Sequence, residues 1–450
     1  MSKLGESIRL NIVLPLAEKM IGTCATKWLK QFNTMSTWSA QQVTEWQNKQ
    51  LQALVKHVYE HTKYYRRIFD ERGLTPEDIL TIDDLKKLPI ITKEIAIAHY
   101  DEIVPDNIQS IPHRKRKTGG TTGEPMHYLM DENNWGCTSA AKIYAWTKTS
   151  YCYGDKFVAM GSASLFAKKP SLPRRIYDKI RNEYPLNTVN LTDELCEKYV
   201  AFIKKNKIRF IYGYAASIYI FTSYVAKHHI DLKQVEAVFT TSENLTDAYR
   251  ELIEQTYDCH VMDCYGANDA GVTAYEITRH NYHVGYNALC EIINPIEENT
   301  GSLLTTNLVN YTFPLLRYQF GDEVELLPYV DESEYNGQVI RRVLGRTSDV
   351  MRLENGHNMT ATGFSMIMKE FDVVAFFFNK TGINEVTLTI QPIVDRYTPE
   401  QETEIRKTIQ RYIGNDATLN IIYVDHFEPL KNGKRRYFMN DLSEQAPNRQ

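Results

Sequence analysis

The sequence lacks the features that mark secreted, membrane-spanning or nucleic-acid-binding proteins. Its seven cysteines are scattered and odd in number, which is not a disulfide framework and fits a reducing cytoplasm. Long apolar runs are missing, and the stretch that begins at Ile12 is broken by Pro15, Glu18 and Lys19, so neither a signal peptide nor a membrane span fits. A formal net charge of -4 gives no overall attraction to nucleic acid.

Internal repeats and low-complexity tracts are also missing, and the composition is that of a globular protein. Hydrophobic residues make up 43% and charged residues 24%, and 450 residues are too many for one ordinary core. We therefore expect two or three domains. The amphipathic segment 8–29 allows peripheral membrane contact, although a helix docked on its own protein explains it more simply.

Hydrophobic periodicity divides the chain into a helical entry, an α/β body and a small tail. Segment 39–73 has helical spacing, whereas apolar runs near 157–160, 208–212 and 237–241 alternate with helical stretches. That alternation predicts α/β layers with a largely parallel sheet, followed by antiparallel strands near 303–308 and 318–327. We expect an N-terminal domain over 1–345, with a helical entry over 1–100, and a small mobile α+β domain over 346–450.

A glycine- and threonine-rich loop, Thr118-Gly-Gly-Thr-Thr-Gly-Glu-Pro125, is the first candidate for a binding site. Its glycines let several N–H groups turn toward an anion, and its threonines add hydroxyl donors. Glu124 follows Gly123, so the phosphate loop of kinases, which needs Gly-Lys-Ser/Thr, does not fit. Taken alone, the loop is as consistent with a surface turn, and the basic run 113–117 before it is a weak sign of nucleic-acid binding.

Five further motifs follow the loop in chain order. Each places glycine, aromatic or charged residues where an α/β sheet presents ligand groups. They are Thr240-Thr-Ser-Glu-Asn244, Tyr265-Gly-Ala-Asn-Asp269, Arg317-Tyr-Gln-Phe-Gly-Asp322, Gly345-Arg-Thr-Ser-Asp349 and Lys431-Asn-Gly-Lys-Arg-Arg436.

Together these six motifs resemble the adenylate-forming superfamily, over about residues 40 to 440. The branch that the chain resembles is that of the phenylacetate–coenzyme A ligases and the proteins of capsular-polysaccharide biosynthesis. The resemblance implies a large adenylation domain and a small mobile C-terminal domain. It also implies that a carboxylic acid reacts with ATP to give an acyl-adenylate and pyrophosphate, with later transfer to coenzyme A or another acceptor.

The resemblance further implies a nucleotide site. The loop would bind the β- and γ-phosphates, Tyr265 would stack on adenine, and Asp322 would bind the ribose hydroxyls with Arg346. Asp269 stands where the family usually has a glutamate that binds Mg²⁺. The implied nucleotide-binding residues are Thr118, Gly119, Gly120, Thr121, Thr122, Gly123, Ser242, Glu243, Tyr265, Gly266, Asn268, Asp322 and Arg346.

In the family that the chain resembles, catalysis depends on movement of the small domain. Lys434 matches the mobile lysine that reaches the carboxylate and the α-phosphate, and the domain would swing about Ser348 and Asp349. Ser348 replaces the usual hinge aspartate, and Asp269 is one methylene shorter than the usual glutamate.

Two further groups of residues each have two interpretations. Tyr144, Gly213, Tyr214 and Ala215 correspond to positions that shape the acid pocket in the resembling family, but the aromatic residues among them also fit an ordinary core. Cys259, Cys264, His280 and His283 could be drawn as a zinc site, yet the spacing is loose, and buried cysteines with ordinary histidines are the better interpretation.

Two classes of function stay open on the sequence alone. One is an ATP-dependent acid ligase that uses Mg²⁺, and whose acceptor is coenzyme A or another group. The other is a nucleotide-binding partner in surface-polysaccharide biosynthesis, either non-catalytic or transferring AMP itself. Lys434 and Asp269 favour the enzyme, because a scaffold needs neither. The sequence identifies neither the acid nor the oligomeric state.

Overall fold

The structure is a computed structural model. It describes residues 7–118, 126–161, 170–188, 191–243, 245–327, 336–346, 350–353, 358–360, 367–368, 371–427 and 438–439. None of the helices in these ranges is long and apolar enough to cross a membrane.

The chain begins with a layer of helices. A π-helical turn, Arg9–Val13, runs directly into the first α-helix. The helices of this layer are α1 (Leu14–Ile21), α2 (Ala25–Met35), α3 (Ala40–His61), α4 (Lys63–Arg72), α5 (Lys93–Ala98) and α6 (Tyr100–Ile103).

Helix α3 shows how local sequence sets these boundaries. Ser39 accepts a hydrogen bond from Gln42 N, and the Gln42 side chain accepts from Ser39 N, so the helix starts with a reciprocal capping box. Its buried face includes Leu51, Leu54 and Val58, which recur at helical spacing. The predicted helical segment 39–73 is confirmed as two helices, and it ends at Gly73, whose φ of 62° is left-handed.

A large mixed sheet forms the body of the described structure. The strands of the body are β1 (Ile91–Thr92), β2 (His113–Lys117), β3 (His127–Asp131), β4 (Phe157–Gly161), β5 (Glu183–Asn187), β6 (Phe210–Tyr214), β7 (Ala237–Thr241), β8 (His260–Ala267), β9 (Val272–Thr278), β10 (Asn281–Val284), β11 (Ala288–Glu297), β12 (Thr300–Asn307), β13 (Tyr318–Leu327) and β14 (Val339–Arg346). In the large sheet they lie in the order β11-β12-β13-β14-β10-β9-β8-β7-β6-β4-β5, with β1 parallel to β13.

The sheet has a parallel half and an antiparallel half. Strands β5, β4, β6, β7 and β8 pair in parallel, as the alternation of strands and helices predicts, and the neighbours from β9 to β14 pair antiparallel. Strands β2 and β3 form a separate hairpin. The helices of this region are α7 (Glu132–Trp146), α8 (Leu172–Ile180), α9 (Asp193–Asn206), α10 (Ala215–Lys227) and α11 (Asp247–Tyr257).

Alternation along the parallel strands gives the sheet two packed faces. Phe210 and Phe239 point to the side covered by α7, where Trp146 stacks on Phe239 with ring centroids 4.5 Å apart. Ile211 and Val238 point to the opposite side, which belongs to a second core cluster. Both faces are apolar, as expected for a parallel sheet that is covered on each side.

The C-terminal part has a core of its own. Strand β17 pairs with β18, β18 pairs with β19 in parallel, and β20 pairs with β17 in parallel. Ile405, Ile409 and Ile413 of α12 pack on this sheet. The elements here are β15 (Val350–Arg352), β16 (Asn358–Thr360), β17 (Val373–Gly382), β18 (Glu385–Pro392), α12 (Pro399–Ile413), β19 (Thr418–Tyr423) and β20 (Phe438–Met439).

The predicted fold class is confirmed: the protein has a large α/β body and a smaller α+β unit. The strands predicted between 373 and 424 are present within four residues of the expected bounds, and the helix Pro399–Ile413 has the expected bounds. The predicted domain boundary at 346–350 stays a prediction, because residues 347–349 lie outside the described residues.

Candidate active site

The candidate site begins at the carboxyl ends of the parallel strands β6 and β7. Ser242 directly follows β7 and has a φ of 68°, a left-handed backbone that is uncommon for serine. This turn presents Glu243, whose Oε2 accepts a hydrogen bond from Ala216 N at 2.9 Å. Ala216 lies in the first turn of α10, where unpaired N–H groups and the helix dipole favour a carboxylate. Glu243 is therefore fixed at the point where β6 ends.

Tyr265 and Asp322 are brought together although they are distant in sequence. The Tyr265 hydroxyl donates to Asp322 Oδ2 at 2.7 Å. Asp322 is also the direct cross-strand partner of Arg346, which puts three of the predicted nucleotide-binding positions in one neighbourhood. Only the backbone of Arg346 is described. The ring, the carboxylate and the strand position thus lie in one neighbourhood, and their role in binding a nucleotide stays a prediction.

Asp269 makes a second contact of the same kind. The Tyr318 hydroxyl donates to Asp269 Oδ2 at 3.2 Å. Tyr318 and Asp322 both lie on β13, on either side of a bulge in which Gln319 pairs with Leu304 and Glu323 pairs with Ser302. The site therefore has two bridges between β13 and the end of β8, one at Tyr265 and one at Asp269.

The base of the phosphate loop lies beside the Asp269 bridge. Thr118 N donates to Met126 O at 2.9 Å, and Met126 N donates to the Thr118 hydroxyl at 3.0 Å, so the two flanks of the loop are joined. The Tyr318 hydroxyl lies 3.8 Å from Met126 Sδ. Tyr318 consequently contacts both the loop base and the predicted metal carboxylate.

Several of the predicted residues fall outside the described part of the chain. They are Gly119, Gly120, Thr121, Thr122, Gly123, Ser348, Asp349 and Lys434. Asn268 is described and is exposed in the turn after β8. Gly266 is paired with Thr273 in the β8–β9 ladder, and a Cβ there would lie 3.2 Å from Val272 O.

The predicted acid-pocket residues lie near the β6–α10 junction and on α7. A Cβ on Gly213 would overlap the Met160 carbonyl oxygen, so strand packing by itself requires glycine. Tyr214 and Ala215 are buried where β6 passes into α10. Tyr144 is buried against Phe32, with ring centroids 5.8 Å apart. The pocket role of these four residues stays a prediction.

The cysteines and histidines drawn as a zinc site are not assembled into one. Within the described ranges, no group of three or more His, Cys, Asp or Glu side chains is placed to hold a metal ion. Burial raises the pKa of the Cys264 thiol to about 12, which disfavours the thiolate that binds zinc.

A buried ion pair supports the strand that carries Tyr265. Arg250 of α11 donates to Glu276 of β9 at 2.6 and 2.8 Å, and each side chain is only 3% exposed. Arg250 also donates to Val261 O, and Glu276 accepts from Asp263 N, both on β8. One ion pair therefore ties α11, β8 and β9 together. Sequence reasoning missed it, because the partners are 26 residues apart and in no motif.

Lys142 is a second residue that sequence reasoning missed. It lies on the sheet-facing side of α7, with Nζ 4.6 Å from the ring centroid of Tyr212 and 5.4 Å from that of Trp146. Burial, assisted by the charge of Arg181, lowers the pKa of Lys142 to about 8. The charges of Glu183 and Cys264 act in the opposite direction and offset part of this shift. The signal was a lysine inside the apolar run Ala140-Ala-Lys-Ile-Tyr-Ala-Trp146.

Lys142 lies close to the strand ends that carry the candidate site. The Tyr212 hydroxyl is hydrogen-bonded to Thr241, the last residue of β7, and Cys264 is near enough to Lys142 to act on its charge. Cys264 directly precedes Tyr265. The ammonium therefore lies beside Tyr212 and near Cys264, the neighbour of Tyr265.

The C-terminal unit docks at the same junction. Val374 and Ala375 of β17 pack with Ala215, Ala216 and Tyr249 of the body. Arg396 adds an ion pair to Glu251 at 3.1 Å. The unit that carries the predicted catalytic lysine therefore contacts the helix whose first turn holds Glu243.

Comparison with known proteins agrees with this architecture. No model of a known protein family matches the chain. Protein CapK of Staphylococcus aureus is 22% identical over 405 residues, covering 88% of this chain and 89% of that protein. Phenylacetate–coenzyme A ligase of Aromatoleum evansii is 23% identical over 430 residues, covering 87% and 92%. The Escherichia coli enzyme of that name is 23% identical over 363 residues, covering 71% and 75%.

Solved structures show the same fold. A 2-hydroxyisobutyryl-CoA ligase in the postadenylation state superposes with a TM-score of 0.69 at 15% identity, covering 90% of this chain and 91% of that one. The same ligase in the thioesterification state gives 0.57. The fold is that of the adenylate-forming ligases. In sequence, the chain is similar to CapK and to the phenylacetate–coenzyme A ligases over most of its length.

The buried pair generates a prediction on stability. Glu276→Gln leaves the Arg250 guanidinium buried without its carboxylate, so we expect a loss of about 3–5 kcal/mol in the free energy of unfolding. The measurement is the urea midpoint of the N-terminal body, followed by tryptophan fluorescence. The control is Glu194→Gln, which removes one partner of an exposed ion pair with Lys198. It should change the free energy of unfolding by about 0.5 kcal/mol at most. Equal shifts in the two variants would contradict the assignment.

Lys142 generates a prediction on pH dependence. Its pKa is lower in the folded than in the unfolded chain, so folding opposes the charged form at neutral pH, and the penalty disappears as pH rises through about 8 toward 10.5. Lys142→Met should therefore stabilise the protein near pH 7 by roughly 2–3 kcal/mol, and the gain should vanish near pH 10. Thermal unfolding across this pH range measures it. The control is Lys205→Met at an exposed site; a pH-independent gain in Lys142→Met would refute the assignment.

Proposed function

We propose that the protein is an ATP-dependent acid ligase that activates a carboxylic acid as its acyl-adenylate and then transfers the acyl group, with coenzyme A as the favoured acceptor. The observation that carries this proposal is the pair of bridges Tyr265–Asp322 and Asp269–Tyr318. They join a purine-stacking ring and a ribose-binding carboxylate at one end to a metal carboxylate and the loop base at the other.

In this proposal, the body binds and orients ATP. Adenine stacks on Tyr265, and Asp322, already fixed by the Tyr265 hydroxyl, accepts hydrogen bonds from the ribose hydroxyls. The loop between Thr118 and Met126 supplies N–H and hydroxyl donors to the β- and γ-phosphates. These contacts hold the α-phosphorus in line with the attacking acid.

The first step joins the acid to AMP. A carboxylate oxygen attacks the α-phosphorus, the bond from that phosphorus to the bridging oxygen breaks, and pyrophosphate leaves with the electron pair. Lys434 would stabilise the negative charge on the carboxylate and the α-phosphate. Support comes from the docking of Val374 and Ala375 on Ala215 and Ala216, since β20, four residues after Lys434, pairs with the same strand β17.

Asp269 fits a role in holding magnesium. Mg²⁺ takes oxygen ligands and is usually bound by one or two carboxylates together with substrate phosphates. The Asp269 carboxylate is aligned by the Tyr318 hydroxyl, beside the base of the loop proposed for the phosphates. When bound, the ion would neutralise phosphate charge. The residues that would hold it are Asp269 and the phosphates themselves.

Lys142 bears on the identity of the acid. A buried lysine beside Tyr212, whose charge Glu183 and Cys264 offset only in part, favours an acid that carries a polar or anionic group besides the reacting carboxylate. A purely hydrocarbon acid would add no further compensation for that charge. Hydroxy acids and dicarboxylic acids therefore fit this position better than fatty acids.

A second candidate function is adenylyl transfer in surface-polysaccharide biosynthesis. The resemblance of the six motifs to proteins of capsular-polysaccharide biosynthesis, together with the similarity to CapK, is what favours it. In that case AMP itself passes to an acceptor, and no acyl group is activated. The two functions differ in whether ATP turnover depends on a carboxylic acid.

The test is exchange of labelled pyrophosphate into ATP, with aryl, fatty, hydroxy, amino and dicarboxylic acids. We expect exchange that depends on both acid and Mg²⁺, with hydroxy or dicarboxylic acids preferred. Lys434→Ala and Asp269→Asn should each reduce it at least about 10²-fold, because each loses charge stabilisation in the transition state. Lys407→Ala, on the exposed face of α12, is the matched control for Lys434→Ala and should leave the rate unchanged.

The outcomes separate the candidates. Measurable ATP binding without exchange for any acid would refute the ligase. Exchange that needs no acid would favour adenylyl transfer. Lys142→Met should reduce the preference for hydroxy or dicarboxylic over fatty acids while exchange itself persists, and an unchanged preference would remove Lys142 from the acid site.

A further inference from the structure

The N-terminal helices are apolar on their outer face as well as on their inner face. Leu14, Ala17 and Ile21 are buried against the protein, as expected for a docked helix. On the other side, Leu16 is 63% exposed, and Ile8, Ile12, Val13 and Met20 are exposed beside it. A docked surface helix normally has polar residues on that side, so this helix needs a second apolar environment.

Helix α8 extends the same surface. Its Tyr177 packs with Ala17 and Ile21, which fixes α8 against α1. Leu172 is 68% exposed, and Ile176, one turn later, is exposed as well. Neighbouring exposed apolar side chains of this number mark an interaction site rather than ordinary surface. We call these seven residues the apolar face: Ile8, Ile12, Val13, Leu16, Met20, Leu172 and Ile176.

The exposed charged side chains of the three helices that carry most of the apolar face are of one sign. The exposed charged side chains of α1, α2 and α8 are Lys19, Lys27, Lys30, Arg175 and Lys179. Lys27 and Lys30 line a shallow hollow with Asn11 and Pro15, next to the apolar face. We call these five cations the basic rim.

The acidic residues of these helices do not offset the basic rim. Glu18, in α1, is buried and accepts hydrogen bonds from Thr26 N and the Thr26 hydroxyl. Asp178, in α8, is paired with Arg174 at 2.6 Å. The whole chain has a net charge of -4, so this concentration of exposed cations is a local departure from the average.

We propose that the apolar face and the basic rim dock the protein on the surface of an anionic lipid bilayer. Apolar side chains surrounded by lysine and arginine are the pattern of helices that lie in the plane of a membrane interface. The cations would contact anionic headgroups while the apolar face enters the boundary with the acyl chains. The positive charge of the basic rim favours a bilayer over a second copy of the chain. It complements an anionic surface, whereas two copies of the same positive surface would repel each other. The proposal is independent of the ligase activity.

The test is sedimentation of the full-length protein with lipid vesicles. We expect binding to vesicles that contain phosphatidylglycerol, weaker binding to pure phosphatidylcholine, and loss of most binding in about 0.5 M salt, where surface charges are screened. Ile12→Gln combined with Leu16→Gln should reduce the bound fraction at least about tenfold at limiting lipid. Lys27→Gln combined with Lys30→Gln should reduce binding to anionic vesicles only.

The matched control is Ile383→Gln combined with Val394→Gln, at two equally exposed apolar residues of the C-terminal unit. It should bind vesicles like the wild type. All positions are exposed, so the variants should fold, which circular dichroism and pyrophosphate exchange would verify.

Three results would overturn the proposal. One is absence of vesicle binding by the wild type, and another is undiminished binding by the Ile12→Gln, Leu16→Gln variant. The third is a concentration-dependent dimer that this variant abolishes in the absence of any lipid binding, which would make the apolar face a self-association surface.

Discussion

The hydrogen bond between the Tyr265 hydroxyl and Asp322 is the contact on which the candidate site depends. It joins β8 to β13, which have β9, β10 and β14 between them in the hydrogen-bonded order of the sheet. Such a bond forms only if the sheet curves until the two strands face each other. Since Tyr318 meets Asp269 at the same time, the curvature is held at two points.

The strands that make this curvature are themselves held by buried charge. Arg250 and Glu276 connect α11, β8 and β9, and Asp263 accepts from both Thr240 and Tyr282 at 2.5 and 2.8 Å. A buried polar network of this kind has few alternative arrangements, because any shift leaves a charge unsatisfied. The network thus fixes the strand that presents Tyr265, and the ring is placed before any ligand arrives.

Much of this fold can be predicted from sequence because its signals are local. Parallel strands appear as short apolar runs between helices, and the capping box at Ser39 and the left-handed Gly73 mark helix ends. The order of the six motifs carried the resemblance to the adenylate-forming superfamily, which the similar proteins confirm.

The contacts that complete the site could not be predicted in this way. Tyr318 meets Asp269 across 49 residues, and Arg250 meets Glu276 across 26, so neither pair has a spacing signal. Lys142 looks like one polar residue in a helix until the sheet is known to lie beneath it. The outer apolar face of α1 could not be predicted for the same reason. Helical periodicity predicts that one side of the helix is buried, but which apolar residues stay exposed depends on where α8 packs.

The most direct test of the account is a crystal structure of the protein with AMP. We expect the adenine ring to lie against Tyr265 and both ribose hydroxyls to lie within hydrogen-bond distance of Asp322, with the Tyr265–Asp322 hydrogen bond retained. The α-phosphate should point toward Asp269 and the loop after Thr118. AMP bound elsewhere, or bound with Asp322 turned away from the ribose, would contradict the central claim that these two bridges form the nucleotide site.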